Sequence, residues 1–372
     1  MLSFWEKDEF LNYDHVVVGG GIVGLSTAIS IKERDSKAKV LVLEQGTFPT
    51  GASTKNAGFA CFGSLTEILA DLRGLPESEV FNLVKLRWEG LQLLRARVGD
   101  DGLDYQNLGG YELLRSSDMG AFQEMNRINE MLMPLFGEAV YHDSSAKINQ
   151  LGFSPSVVKG LVFNPFEAQL HSGKMMKSLT RLATDLGVEI LTGTSVSQFD
   201  EDSNGVSVHT TSDITFHARK LAICTNAFSK SLLPNTDLVP GRGVVLVTKP
   251  IAGLKFKGTF HYDEGYYYFR NYQDRILFGG GRNLDVTGEE TTVFEVRDLI
   301  LEKLKSDLNE VIIPGQDFEI DHIWSGIMAF GPNKQPILES HSDNVHIGVR
   351  LGGMGVAIGS KMGFELAELM LR

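Results

Sequence analysis

The chain holds only two cysteines, Cys61 and Cys224, among 372 residues. Two thiols cannot close a disulfide framework or complete a thiolate metal cage, and such sparing use of cysteine fits a reducing, cytoplasmic compartment. None of the nine histidines is spaced H-x-x-x-H, and no acidic cluster has ligand spacing, so no metal is expected. No stretch reaches the roughly 18 apolar residues of a membrane span. Only peripheral membrane contact stays open. The start, MLSFWEKDEFLNYDH, is acidic and has no apolar core, which argues against a secretory leader. Basic charge is also in deficit: 35 Lys and Arg against 47 Asp and Glu leave a net charge of −12. That balance speaks against a nucleic-acid partner, which needs a basic face. No Pro- or Gly-rich linker and no repeat divides the chain.

What is present begins at Asp14 with DHVVVGGGIVGLSTAIS. His15–Val18 reads as a buried strand, Ile22–Glu33 as a helix with small residues on one face, and Lys39–Glu44, KVLVLE, as a second buried strand. Together they predict a βαβ unit. Gly19, Gly21 and Gly24 fit G-x-G-x-x-G. In this motif the glycines allow a tight turn, close approach of the backbone to a diphosphate, and close helix–strand packing, with Ile22 and Val23 opening the helix. Glu44 lies about twenty residues on, where a carboxylate accepts the ribose hydroxyls of an adenosine and repels a 2′-phosphate. Gln45 follows it.

The rest alternates. Gly46–Ser64 is a long Gly/Ser/Thr loop. Leu65 to Arg97 has helical spacing, 104–114 suggests a strand or hairpin, and Ser116–Gly137 is helical again. His171–Gly187 predicts a helix capped by Ser172. VEILTGTSV predicts a strand, and a β-meander leads to Lys220–Cys224. Strands follow at Val244–Lys249, Tyr266–Arg270 and Arg275–Gly279, then a helix over Val293–Leu308. The end returns to strand, glycine-rich turn and helix at Gly352–Gly355. The fold class expected is α/β: a Rossmann-like dinucleotide-binding domain interleaved with a smaller α+β domain on a mixed or antiparallel sheet. The first would take 1–75, 150–235 and 320–372, and the second, substrate-binding, 76–149 and 236–319.

The ordered set VVVGGGIVGLSTA, LVLEQG, GASTKNAGF, EAQLHSGKMMKSL, LAICTNAFSKSLLP, PGRGVVLV, YYYFRNYQDRILFGGG, IWSGIMAFGPNKQPIL and GVRLGGMGVAIGSKMGFELAELM resembles the D-amino-acid oxidase-type FAD oxidoreductases. This group holds glycine oxidase, sarcosine oxidase and D-amino-acid dehydrogenase. The resemblance implies FAD, with Glu44 on the adenosine ribose and Val196 pairing with adenine by its backbone. It places Ser53, Thr54, Asn56, Ala57 and Gly58 along the diphosphate, ribityl chain and flavin edge. Thr225 and Asn226 stand where relatives have Thr-Gly. Gly326 lies beside the cofactor, and Gly352, Gly353, Met354, Gly355 and Val356 bring amides to the flavin end where negative charge develops. No cysteine occurs in Gly326–Pro336, where some members tether the flavin, so non-covalent FAD is expected. The oxygen-activating lysine of some members would fall near Phe278, which leaves dioxygen, a quinone or another carrier as the electron acceptor.

The reaction the resemblance implies is oxidation of a C–N bond in an amino acid or secondary amine, by hydride transfer to flavin N5. No catalytic side chain is nominated. Tyr266, Tyr268 and Arg270 share one strand face and are substrate candidates. Relatives that bind a carboxylate carry an arginine where this chain has Met328, so another cation must serve, from Lys55, Arg350 or Arg270, or the substrate lacks that carboxylate. Two other reactions fit the same cofactor: oxidation of a 2-hydroxy acid, and removal of a carboxymethyl group from a tRNA base.

Overall fold

Val16, Val17 and Val18 are all shielded from solvent, as a strand's residues are only when both faces of its sheet are covered. In the computed structural model, which describes residues 1–372, they belong to the strand Asn12–Val18. It pairs in parallel with Val40–Leu43 on one side and Thr215–Ile223 on the other. Glu189–Leu191 and Val345–Val349 extend the parallel sheet, and Ile337–Ser340 closes one edge antiparallel. Alternation sorts the side chains. Val17, Val40 and Val42 meet a helical layer that includes Ile22–Arg34, Ser172–Asp185 and Gly355–Met370. Val16, Val18, Leu41 and Leu43 face the opposite way, toward the meander Val196–Asp202, Gly205–Thr210 and Thr215–Ile223.

A second sheet runs in the order Ile320–Phe330, Val239–Thr248, Arg275–Gly280, Tyr267–Tyr272, Thr259–Tyr262, Gly110–Leu114, Gly160–Asn164 and His142–Asp143. It is antiparallel except where Thr259–Tyr262 meets Gly110–Leu114. Its core is aromatic: Phe260 and Phe269 stack 4.8 Å apart, with Phe256 and Phe153 packed edge-on. Two strands of this sheet, Gly160–Asn164 and Ile320–Phe330, come from segments expected beside the dinucleotide motif. The helix Glu77–Leu103, in a segment expected elsewhere, packs Leu91 and Leu94 against Ile358 and Met362 of the C-terminal helix.

Several elements differ from the sequence reading. The helix expected over Leu65–Arg97 is two, Leu65–Asp71 and Glu77–Leu103, because Gly74 and Pro76 interrupt it and Pro76 caps the second. Helix Ser172–Asp185 is capped by His171, not Ser172. The His171 Nδ1 accepts from the amides of Gly173 and Lys174 at 3.2 and 3.3 Å, and the Ser172 hydroxyl turns to Asn56 instead. VEILTGTSV breaks at Gly193, whose φ of +68° ends one strand before the next begins. The helix expected over Val293–Leu308 covers only Asp298–Asp307 and runs into a wide turn, Leu308–Ile312.

The C-terminal helix crosses Ile22–Arg34 at closest approach through Gly363, where an added Cβ would lie 2.5 Å from Ser26 Cβ and 2.7 Å from the Val23 carbonyl oxygen. Gly363→Val therefore destabilises the protein by about 1–3 kcal/mol. Gly74→Ala, whose Cβ meets nothing within 4 Å, leaves the thermal unfolding midpoint unchanged or raises it.

Candidate functional site

The turn after the first strand is built from absent side chains. Gly19 has φ +111°, and a Cβ there would meet the Cys224 carbonyl oxygen at 2.7 Å. A Cβ on Gly24 would lie 1.9 Å from the Gly19 carbonyl oxygen. The helix starts at Ile22 with Gly21 as its cap and no side chain closing it. The Ile22 amide donates to Ser53 Oγ at 3.0 Å, whereas those of Gly21, Val23 and Gly24 have no partner within the chain. Such amides at a helix N-terminus favour an anion. Glu44 is buried at the end of the next strand, its two oxygens accepting from the Gly20 and Gly46 amides, each at 2.9 Å. Each oxygen keeps a further lone pair.

A second turn of the same kind follows Val345–Val349. Arg350, Gly352 and Gly353 adopt φ of +66°, +56° and +84°, and helix Gly355–Met370 begins at once. The amides of Gly353, Gly355 and Val356 lack partners. Asn226, where relatives were expected to have glycine, takes the left-handed conformation at φ +47°. Its Oδ1 accepts from the Arg350 amide at 3.1 Å and so braces this turn.

Both turns open onto one cavity of about 1070 Å³, at the upper end of the roughly 300–1,000 Å³ of ligand pockets. The third wall is a face of the second sheet from which side chains are missing. Gly243 leaves room for Met328, whose Cε would be 2.8 Å from a Cβ there. Gly326 leaves room for Lys55 at 3.1 Å, and Gly279 for the Tyr268 ring at 2.7 Å. Trp324 Nε1 donates to the Lys55 carbonyl at 2.8 Å and ties this sheet to the loop before it.

Of the cofactor candidates, Gly19, Gly21, Ile22, Val23, Glu44, Gln45, Ser53, Asn56, Ala57, Val196, Thr225, Asn226, Gly326, Gly352, Gly353, Met354, Gly355 and Val356 line the cavity. Gly24 packs behind it, the Thr54 hydroxyl closes its own turn on Pro49 and Gly51, and Gly58 sits against Leu170. Of the substrate candidates, Tyr266, Tyr268, Lys55 and Met328 line it, and Arg270 and Arg350 do not. Arg270 is buried, its guanidinium donating to the carbonyls of Ala57, Leu170 and Asn271, and burial pulls its pKa down to about 10. Arg350 is held by Asp237 at 2.9 Å and by the Gln335 carbonyl. These two arginines brace loops, and only contacts far apart in sequence reveal it.

Other cavity residues escaped the sequence reading. Buried His261 bonds Glu167 at 3.0 Å. Burial alone would pull the ring's pKa down, but the charges of Glu167, Glu67 and Glu112 outweigh it and raise the pKa above its ordinary value. Lys334 bridges Glu67 and Asp71 at 3.1 and 2.8 Å. Arg282 also lines the cavity, and its only sequence signal is its place directly after FGGG. Burial pushes the Cys61 thiol well above its usual pKa and Cys224 up to about 12, so both stay protonated. The donor set fits FAD: one group of free amides suits a diphosphate, a carboxylate suits a ribose, and a second group of free amides suits a ring that gains negative charge.

Comparison with known proteins agrees. The family model described as "FAD dependent oxidoreductase" matches residues 14–369. The chain is 24% identical to the "Probable oxidoreductase OrdL" of Haemophilus influenzae, over 96% of this chain and 83% of that protein. It is 23% identical to the glycine oxidase of Bacillus licheniformis, over 96% of this chain and 93% of the other. The crystal structure of glycine oxidase from Geobacillus kaustophilus superposes with a TM-score of 0.79 at 19% identity, covering 97% of this chain and 95% of that one.

Two outcomes follow from this geometry. Glu44→Ala weakens FAD binding at least about tenfold, measured as flavin absorbance retained after desalting. His261→Gln removes one partner of a buried ion pair, which costs on the order of 3 kcal/mol. Because the folded His261 pKa is raised, the stability it supplies is complete below the ordinary histidine value and fades as pH climbs through the raised one. The gap in denaturant midpoint between His261→Gln and the parent is therefore widest in mild acid and narrows in alkali.

Proposed function

We propose that this chain, a member of the FAD-dependent oxidoreductase family, oxidises the C–N bond of an amino acid or secondary amine. The observation that carries the reading is the pair of donor-rich helix N-termini that open onto one cavity roofed by a glycine-paved sheet. When bound, FAD supplies the two-electron acceptor. The amides of Gly21 and Val23 would hold its diphosphate, Glu44 its adenosine ribose, and the Val196 backbone its adenine. Ser53, Asn56 and Ala57 would line its length, with Thr225 and Asn226 across from them. The amides of Gly353, Gly355 and Val356 would meet the negative charge that reduction brings.

Alignment and exclusion of water fall to the chain's own side chains. Burial raises the Tyr268 pKa to about 12, so its phenol stays a hydrogen-bond donor over the working range. Met328, Phe59 and Tyr268 keep the substrate end apolar. The reacting amine is the neutral form, which needs no side-chain base. The division of labour follows the sheets: the parallel sheet carries the cofactor and the antiparallel one closes over the substrate. The flavin is held without a covalent bond, in keeping with the lack of a cysteine in Gly326–Pro336. Electrons pass on to dioxygen or a quinone-type carrier. The low cysteine content fits work in the cytoplasm.

His261 on the cavity wall favours one second reading, oxidation of a 2-hydroxy acid. Above its raised pKa, with Nε2–H still donating to Glu167, the neutral ring would offer Nδ1 as the proton acceptor that an alcohol substrate requires. Anaerobic mixing of the holoprotein with panels of amino acids, secondary amines and 2-hydroxy acids separates the two. Amine oxidation predicts bleaching of the flavin band by members of the first two panels only. Bleaching confined to hydroxy acids transfers the assignment to the second reading, and no bleaching by any panel overturns both.

A further inference from the structure

The charged side chains around the cavity are nearly all spoken for. Lys334 is held between Glu67 and Asp71, and Arg87 is buried against the Phe62 carbonyl and Glu67. Arg242, on a strand of the sheet that roofs the cavity, is clamped by Glu289 at 2.7 Å. Arg350 and Arg270 brace loops outside it. Lys55 has its ammonium 5.1 Å over the Phe294 ring, and Lys230 is exposed at the rim.

Arg282 shares with Lys55 the lack of an ionic partner, but of the two only Arg282 presents a planar fork of N–H donors. It lines the cavity and is partly buried, yet its guanidinium has neither a hydrogen-bond acceptor nor a carboxylate within ion-pair distance. Burial holds its pKa below the usual arginine value, and nearby Tyr266, Glu290 and Glu289 only partly offset that. Glu289 spends its carboxylate on Arg242 and Arg297. The guanidinium carbon lies 3.9 Å from the centre of the Phe330 ring, a cation–π contact that uses none of its N–H donors on an acceptor. The Phe330 ring itself lies on bare backbone at Gly241, where an added Cβ would come within 2.4 Å of it. Gly241 is the cross-strand partner of Met328. The missing side chain at Gly241 makes room for the Phe330 ring, and so for the surface on which the guanidinium lies.

A partly desolvated guanidinium with no internal partner gains more from an anion than a fully solvated one does. We propose that Arg282 is the specificity-determining cation of this cavity and that it takes a carboxylate of the substrate through two parallel N–H···O bonds, so that the substrate is an amine bearing a free carboxylate. This rests on the cavity being a flavin site that oxidises amines. It replaces Arg270, Arg350 and Lys55 as the partner of the anion, and it makes Met328 an apolar neighbour of the substrate chain.

The test uses the FAD-loaded protein titrated with acetate and with benzoate, followed by the flavin difference spectrum, with no turnover required. The parent shows a saturable spectral change. Arg282→Met raises the dissociation constant at least about tenfold, and Arg282→Lys, which keeps the charge but not the fork, falls between. Lys230→Met, at the exposed rim, titrates like the parent. With reducing amines, Arg282→Met raises KM for carboxylate-bearing substrates and leaves KM for their amide counterparts unchanged. Retained yellow colour in each variant shows that fold and cofactor survive. A yellow parent that ignores both carboxylates, or an Arg282→Met that binds them as the parent does, overturns the role of Arg282 and leaves the flavin reading intact. A parent that takes up no FAD overturns both.

Discussion

Six backbone amides without partners, at Gly21, Val23, Gly24, Gly353, Gly355 and Val356, are the constraint around which the rest is arranged. A helix N-terminus left open costs stability unless water or an anion satisfies it. Here two such termini open onto one cavity, from two strands of the same parallel sheet separated only by Thr215–Ile223. The shared sheet is what brings residues more than three hundred positions apart to one ligand-sized space.

The second sheet answers a different need. Its aromatic core holds it rigid, and its cavity face is stripped to glycine at Gly241, Gly243, Gly279 and Gly326. Removing side chains there lets Phe330, Met328, Tyr268 and Lys55 lie across the strands, with Arg282 over the Phe330 ring. The result is an enclosed region with an apolar centre and one arginine free to meet an anion.

The opening βαβ unit was legible because the physics is local. Consecutive buried valines, a glycine triplet and a carboxylate at the end of the next strand all act within about thirty residues. The closing strand–turn–helix was legible for the same reason. The role of Asn226 was not, because it depends on an amide 124 positions away at Arg350. Arg270 and Arg350 looked like ligand-binding cations, since nothing in their neighbours in sequence announces the carbonyls of Ala57 and Leu170 or the carboxylate of Asp237. Arg282 was passed over because nothing near it in sequence shows that it lines the cavity against Phe330, 48 positions on. His171 and Ser172 exchanged roles because either can cap a helix, and only the fold brings Asn56 within reach of Ser172.

The claim on which the account turns is that one FAD satisfies both groups of amides at once. Amide hydrogen exchange followed by mass spectrometry, with and without FAD, tests it most directly. The account predicts that peptides covering Gly21–Gly24 and Gly353–Val356 become protected together, at one equivalent of FAD. Protection of only one of the two, or of neither, would contradict it.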